Sequence, residues 1–284
     1  MSIQLKKNIT IIVSVIVVQN DTILMMQEAK PECFGLWYLP AGRLERYENL
    51  LEGVKREGLE ETGLEIEPIA LLCVEMKSLK WIRFNFIGKP IGGALKKKAD
   101  KESLCADWVP ISVVLNGGNK SWPLRAPDIV NVIGGFVSRG NNMVANNGTG
   151  ILPRTVAHTN IQFRLVMRWG DNFLVEKSTK EAPITTASSH HSFESILNAF
   201  IKDNFMDSSI VSPAPFHILS LEFGGSSRQS GSIITDGFLF ELIIGIKGKH
   251  ELSPLATVEW CKLDQNTKIL ITNESGLPIL ILVH

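Results

Sequence analysis

An excess of charge of either sign is missing from this chain: 29 Lys and Arg stand against 29 Asp and Glu, for a net charge of zero. A protein that grips a nucleic-acid polymer or an anionic membrane does so with surplus positive charge, so neither partner is expected. Cysteine is scarce. Cys33, Cys73, Cys105 and Cys261 lie far apart with no C-x-x-C pair, which offers no zinc site and fits a reducing compartment. Long apolar runs are also absent. The stretch from Ile9 to Val18 covers ten residues, about half of what a membrane helix needs, and its β-branched composition favours a buried strand. Two lysines precede it and no small-residue cleavage site follows, so it does not read as a signal peptide, and the expected location is the cytoplasm.

What is present is concentrated between Gly42 and Leu64. Asn49 is the expected N-cap of a helix and Gly63 its left-handed terminator. At 3.6 residues per turn, Glu57 and Glu61 lie one turn apart with Glu60 beside them, inside an arc of roughly 100°. Three like charges there destabilise a helix unless something neutralises them. A hard divalent cation with oxygen ligands, Mg2+ or Mn2+, does so; for an RExxEE segment taken alone, a solvated acidic face is the other reading. Glu57 and Glu61 are the first-choice ligands, and Glu60 is either a third ligand or the base that takes a proton from water. Arg56, with Glu52 and Glu60 one turn to either side, is read as the residue that orients the cluster.

The complete pattern is G-x5-E-x7-R-E-U-x-E-E-x-G-U with U aliphatic, met at Gly42, Glu48, Arg56, Glu57, Glu60, Glu61, Gly63 and Leu64. In this the sequence resembles the Nudix hydrolase family. One position departs: the aliphatic site after Glu57 is Gly58. The helix phase puts Gly58 inward with Tyr47, Leu51 and Val54, and since glycine costs about 1 kcal/mol relative to alanine in a helix, Gly58→Ala is expected to stabilise the protein. The resemblance implies an α/β (α+β) fold, an α/β/α sandwich around a mixed sheet, for residues 5–138. It implies that Gly42 lets a backbone carbonyl approach the cation, and that a carboxylate outside the box, here Glu102, completes the metal site or acts as base. The segments QEAKPECFGLWYLPAGRLE, SLKWIRFNFIGKPIGGALK and WPLRAPDIV look like the Nudix branch that hydrolyses 8-oxo-guanine nucleoside diphosphates to monophosphates. The implied substrate contacts are Trp37, Leu39, Trp81 and Phe84, and the implied partner is a small nucleotide. Magnesium-assisted attack of water on the diphosphate is the implied reaction. A nucleotide sugar, ADP-ribose or a dinucleoside polyphosphate would suit the same box, and a sensor that binds a nucleotide without turnover is the reading from a different class.

Elsewhere the chain reads as a hairpin over residues 9–28, strands at 69–76 and 81–87, a turn at Gly92–Gly93, a strand at 107–110 and a helix from about Asp128. Lys96, Lys97 and Lys98 are either solvated or a phosphate contact. Residues 137–150 are rich in Asn and Gly, with the linker proper at 139–150. The remainder echoes the first half: Asp21-Thr22-Ile23-Leu24 returns as Asp171-Asn172-Phe173-Leu174, and Trp108 as Trp260, at offsets of 150 and 152. A degenerate Nudix-like domain is therefore expected over 151–284. Its helix, Ser192 to Phe205, carries Glu194 and Asp203 on opposite sides and no RExxEE. The adjacent His190 and His191 lack a ligand spacing.

Overall fold

The computed structural model describes residues 9–77, 80–145, 151–156, 158–169, 171–186, 193–206, 217–223, 236–245, 253–255, 257–262 and 279–283. The chain divides into two compact units, one of residues 11–74 with 83–152, the other of 1–10, 75–82 and 153–284. We call them the box unit and the C-terminal unit.

In the box unit the β-branched run becomes β1 (Thr10–Gln19), which turns through Asn20 and Asp21 into β2 (Thr22–Glu28). Both turn residues are left-handed, at φ 49° and 58°, a conformation that short polar side chains tolerate. Then follow β3 (Trp37–Tyr38), β4 (Ala41–Arg43), α1 (Leu50–Thr62), β5 (Leu64–Lys77), β6 (Trp81–Gly93), β7 (Ser103–Pro110), α2 (Ile111–Leu115) and α3 (Asp128–Ala145). The sheet runs β5-β6-β1-β2-β3, with β4 on β1 and β7 on β2. Val13, Ile16, Ile23, Met25, Phe84 and Phe86 are fully buried in its core. Helix α1 packs on β7, β4 and β2. Asn49 caps it by accepting from the Glu52 amide while the Glu52 carboxylate returns to the Asn49 amide, and Gly63 ends it at φ 76°.

Several expectations need correction. Tyr47 is not on the inward face: it is 42% exposed, at φ 70° in the loop before the cap. No free space faces Gly58, because a Cβ there would lie 2.7 Å from Cδ1 of the buried Ile66. Gly92 and Gly93 end β6 instead of forming a turn, and a side chain on Gly93 would strike the Gly63 carbonyl. Lys96 is neither solvated nor free for phosphate; its ammonium holds the Glu60 carbonyl at 2.7 Å and Asp100 at 2.6 Å. Glu52 serves the cap and not Arg56. Helix α3 continues to Ala145, through much of the stretch read as linker; extending a helix already nucleated needs no new nucleus, so weak helix formers are carried along.

The C-terminal unit contains β8 (Arg154–Thr155), β9 (His158–Trp169), β10 (Asn172–Glu176), β11 (Ile184–Thr186), α4 (Phe193–Asn204), β12 (His217–Phe223), β13 (Asp236–Gly245), β14 (Val258–Lys262) and β15 (Ile279–Val283). Its strands run β14-β10-β9-β13-β12, with β11 on β9. Three strand pairings of the box unit have counterparts here at similar sequence offsets. Gln19 pairs with Thr22, and 150 residues on Trp169 pairs with Asn172. Leu24 opposes Trp108 as Leu174 opposes Trp260, and Val13 opposes Gly42 as Phe163 opposes Thr185. Glu194 lies in α4, whereas His190, His191 and Ser192 fall outside the described residues.

Candidate active site

The site forms where α1 meets β4. Glu57 and Glu61 both lie on the buried stripe of the helix, at 7% and 1% exposure. A Cβ on Gly42 would overlap the Glu57 carboxylate, so only glycine lets that carboxylate rest against the strand. One residue back, the Ala41 amide donates to Glu61 Oε2 at 2.8 Å. The β4 backbone thus holds both acids from one side.

Arg56 is the organiser. Its guanidinium donates to Glu48 at 2.7 and 2.9 Å, to Glu57 Oε1 at 2.7 Å, to Glu60 at 3.0 Å and to the Arg43 carbonyl at 3.1 Å. Its hydrogen bonding to Glu48 chiefly raises its pKa beyond the ordinary value. Burial raises the Glu57 carboxyl, Arg56 pulls it back, and the charges of Glu60 and Glu102 add to the rise. Glu61 is raised well above the usual carboxylate range, first by burial and then, against its bond from Ala41, by Glu57. Two buried acids that resist ionisation are stabilised as carboxylates by a cation.

The structure therefore separates the three glutamates. Glu57 and Glu61 are buried together, whereas Glu60 is exposed and paired to Arg56. Among the described residues no three acidic, histidine or cysteine side chains converge as a metal cage. That is compatible with magnesium, which is held by one or two carboxylates with waters and substrate phosphates supplying the rest. The glycine cradle and the buried acid pair fit such an ion. Glu102 is close enough for its charge to act on Glu57 and pairs with Lys101 at 3.1 Å.

Of the aromatic and apolar positions expected at the substrate, Phe84 and Leu39 are core residues, 0% and 2% exposed. Trp81 is half-buried and falls in the other unit, while Trp37 is buried with its indole N–H unpartnered. The sequence reading missed a chain of charges around Tyr38. Arg83 donates to Tyr38 and to Asp128, the Tyr38 hydroxyl donates to Asp128 at 3.0 Å, and Arg125 lies 5.0 Å from the Tyr38 ring centre while pairing with Glu28. Glu28 is fully buried, with Oε2 unpartnered apart from Lys30 at 4.0 Å, and its charge helps raise Glu61. Its partner Arg125 is 97 residues away, and only an acid inside a strand of apolar residues hinted at it.

Among the described residues no helix is long and apolar enough to cross a membrane. The NUDIX domain model matches residues 9–127. The chain is 45% identical over 135 residues to the 8-oxo-dGDP phosphatase NUDT18 of Mus musculus, covering 46% of this chain and 40% of that protein. To the Homo sapiens protein of the same name it is 44% identical over 134 residues, with 46% and 40% covered. The chain thus spans about two fifths of the length of these curated relatives. A solved structure of a NUDIX hydrolase from Nitrosomonas europaea overlays with a TM-score of 0.40 at 25% identity, covering 45% of this chain and 88% of that one. Gly42, the Arg56-centred network and the paired Glu57 and Glu61 all lie inside the matched stretch, and residues 9–127 of this chain are a Nudix domain.

Proposed function

We propose that this domain hydrolyses the diphosphate of oxidised guanine nucleotides, 8-oxo-dGDP and 8-oxo-GDP, to the monophosphates with magnesium, or manganese in its place. The observation that carries the chemistry is the burial of Glu57 and Glu61 against the backbone at Gly42. The choice of base is supported by the names of the relatives 44–45% identical over this region. Bound there, the ion neutralises charge on the diphosphate and lowers the pKa of a water. Glu57 and Glu61 would hold the ion, Gly42 leaves room for the Glu57 carboxylate, and Arg56 fixes Glu57 on one side while its five bonds keep the helix start and the β4 loop in register. Glu60 and Glu102 are the candidates to accept the water's proton, supported by their charges acting on Glu57. The test is monophosphate release from oxidised and unmodified guanine diphosphates, ADP-ribose and nucleotide sugars. A preference for ADP-ribose or a nucleotide sugar over 8-oxo-dGDP refutes the substrate assignment, and no release from any of them refutes the hydrolase.

Residues 151–284 we read as a second Nudix-like fold without the box. The supporting observations are the shared strand order and the matched pairings of β1 with β2, β4 and β1, and β2 with β7.

A further inference from the structure

The C-terminal unit contains a cavity of about 650 Å³ that the hydrolytic reading leaves unused. Its place in the fold can be fixed residue by residue. Val15 donates to the Pro40 carbonyl at 3.0 Å, and Leu165 donates to the Pro183 carbonyl at 2.9 Å. Gly42 pairs with Val13, and Thr185, 143 residues later, pairs with Phe163. Carrying the same 143 residues onto the helices aligns the buried residues Gly53, Val54, Glu57 and Gly58 of α1 with Ile196, Leu197, Phe200 and Ile201 of α4, all of them buried. On that alignment the cavity is lined by the counterparts of the active site: Thr185 for Gly42, Ala199 for Arg56, Phe200 for Glu57, Asp203 for Glu60 and Asn204 for Glu61.

Each replacement removes a part of the metal machinery and keeps the space. Thr185 places a side chain where the first site needs none. The two buried acids are an aromatic ring and an amide, and the organising guanidinium is a methyl group. We propose that this cavity is a second ligand site, which takes a purine nucleoside without hydrolysing it. The proposal rests on the reading of 151–284 as a repeat of a nucleotide-binding fold.

The lining selects against phosphate. Glu176 and Asp203 face it with Lys177 as the one cation and no arginine among the lining residues, so a diphosphate would meet net repulsion. It also selects for donors. Carboxylates only accept, and one of the two Asn204 amide hydrogens is given to the Phe200 carbonyl at 2.8 Å, with the amide oxygen also an acceptor. Guanine offers N1–H and the 2-amino group, ribose offers hydroxyls, and Phe200, Ile184 and Val258 supply the apolar wall a base requires. The volume lies within the range of small-molecule sites, about 300–1,000 Å³.

The experiment is calorimetric titration of guanosine into the full chain without divalent metal, repeated with GDP and with the Glu57→Gln chain. The expected result is one guanosine site that survives Glu57→Gln, binds GDP at least about tenfold more weakly, and is lost in both Ala199→Trp and Thr257→Trp, each checked for an unchanged melting temperature. Absence of binding up to about 1 mM, binding retained in either folded filling variant, or tighter binding of GDP overturns the proposal. Because no hydrolysis is measured, failure of the oxidised-guanine assignment shows itself separately, in the substrate panel.

Discussion

Gly58→Ala puts the packing of α1 to a quantitative test. Helix propensity alone favours alanine by about 0.8–1 kcal/mol. The structure opposes this, since the new Cβ would lie 2.7 Å from Cδ1, 3.3 Å from Cγ1 and 3.4 Å from Cβ of Ile66, where carbon atoms prefer about 3.5–4.0 Å. A flexible methyl could swing away at little cost, but Ile66 is only 2% exposed and its Cγ2 fills the space beside Gly88, 2.6 Å from where that residue's Cβ would be. Ile66 is therefore wedged between two glycines. Overpacking of this kind costs about 1–3 kcal/mol, so the net expectation is a loss of roughly 1 kcal/mol. Ile66→Val, which removes Cδ1, should cost about 0.5–1.5 kcal/mol in the wild type and little or nothing in the Gly58→Ala background. Urea denaturation of the four chains measures the coupling. A stabilised Gly58→Ala with an additive double mutant would refute the wedge.

Three further outcomes follow from the site. Glu57→Gln and Glu61→Gln each lower kcat by about 10²–10³ while the circular dichroism of the folded chain is unchanged; wild-type turnover in either would remove that residue from the machinery. Magnesium affinity rises with pH and its binding releases protons, because burial raises the Glu61 carboxyl and the ion takes the ionised form; calorimetry in two buffers of different ionisation enthalpy reads the release, and pH-independent affinity with no release contradicts it. Burial would raise the Asp128 carboxyl, but the bond and charge of Arg83 and the Tyr38 hydroxyl outweigh it and hold the group below its ordinary value. Its contribution is therefore complete above the unfolded pKa of about 3.9 and lost as pH falls through the lower folded value, so Asp128→Asn should flatten the acid limb of the stability profile and cost about 1–3 kcal/mol at neutral pH.

What was legible in the sequence was local. Asn49 and Gly63 announce the helix ends through backbone chemistry that any helix must satisfy, and the acids at 57 and 61 share a face because of helical pitch. The misread residues are those whose partners the fold chooses. Glu52 had a cap amide and a guanidinium one turn away, and the cap won. The space at Gly58 is filled from β5, and Lys96 reaches back to a helix carbonyl 36 residues earlier in the chain. The Arg83–Asp128 and Arg125–Glu28 pairs join residues 45 and 97 apart, with no periodicity to reveal them.

The two halves together bear on why the acids of α1 persist. Replacing buried ionic groups by well-packed apolar ones is often neutral or stabilising, and on the repeat proposed above α4 carries a buried Phe200 at the position of Glu57 and a buried Ile201 at that of Gly58. Stability alone therefore gives no reason to keep Glu57 and Glu61 inside the box unit, where burial pushes both away from ionisation. A glycine at 42 that makes room for one of them and an arginine whose five hydrogen bonds hold the other end of the cluster are arrangements that would gain their value, on the function proposed above, when a cation and an anionic diphosphate arrive.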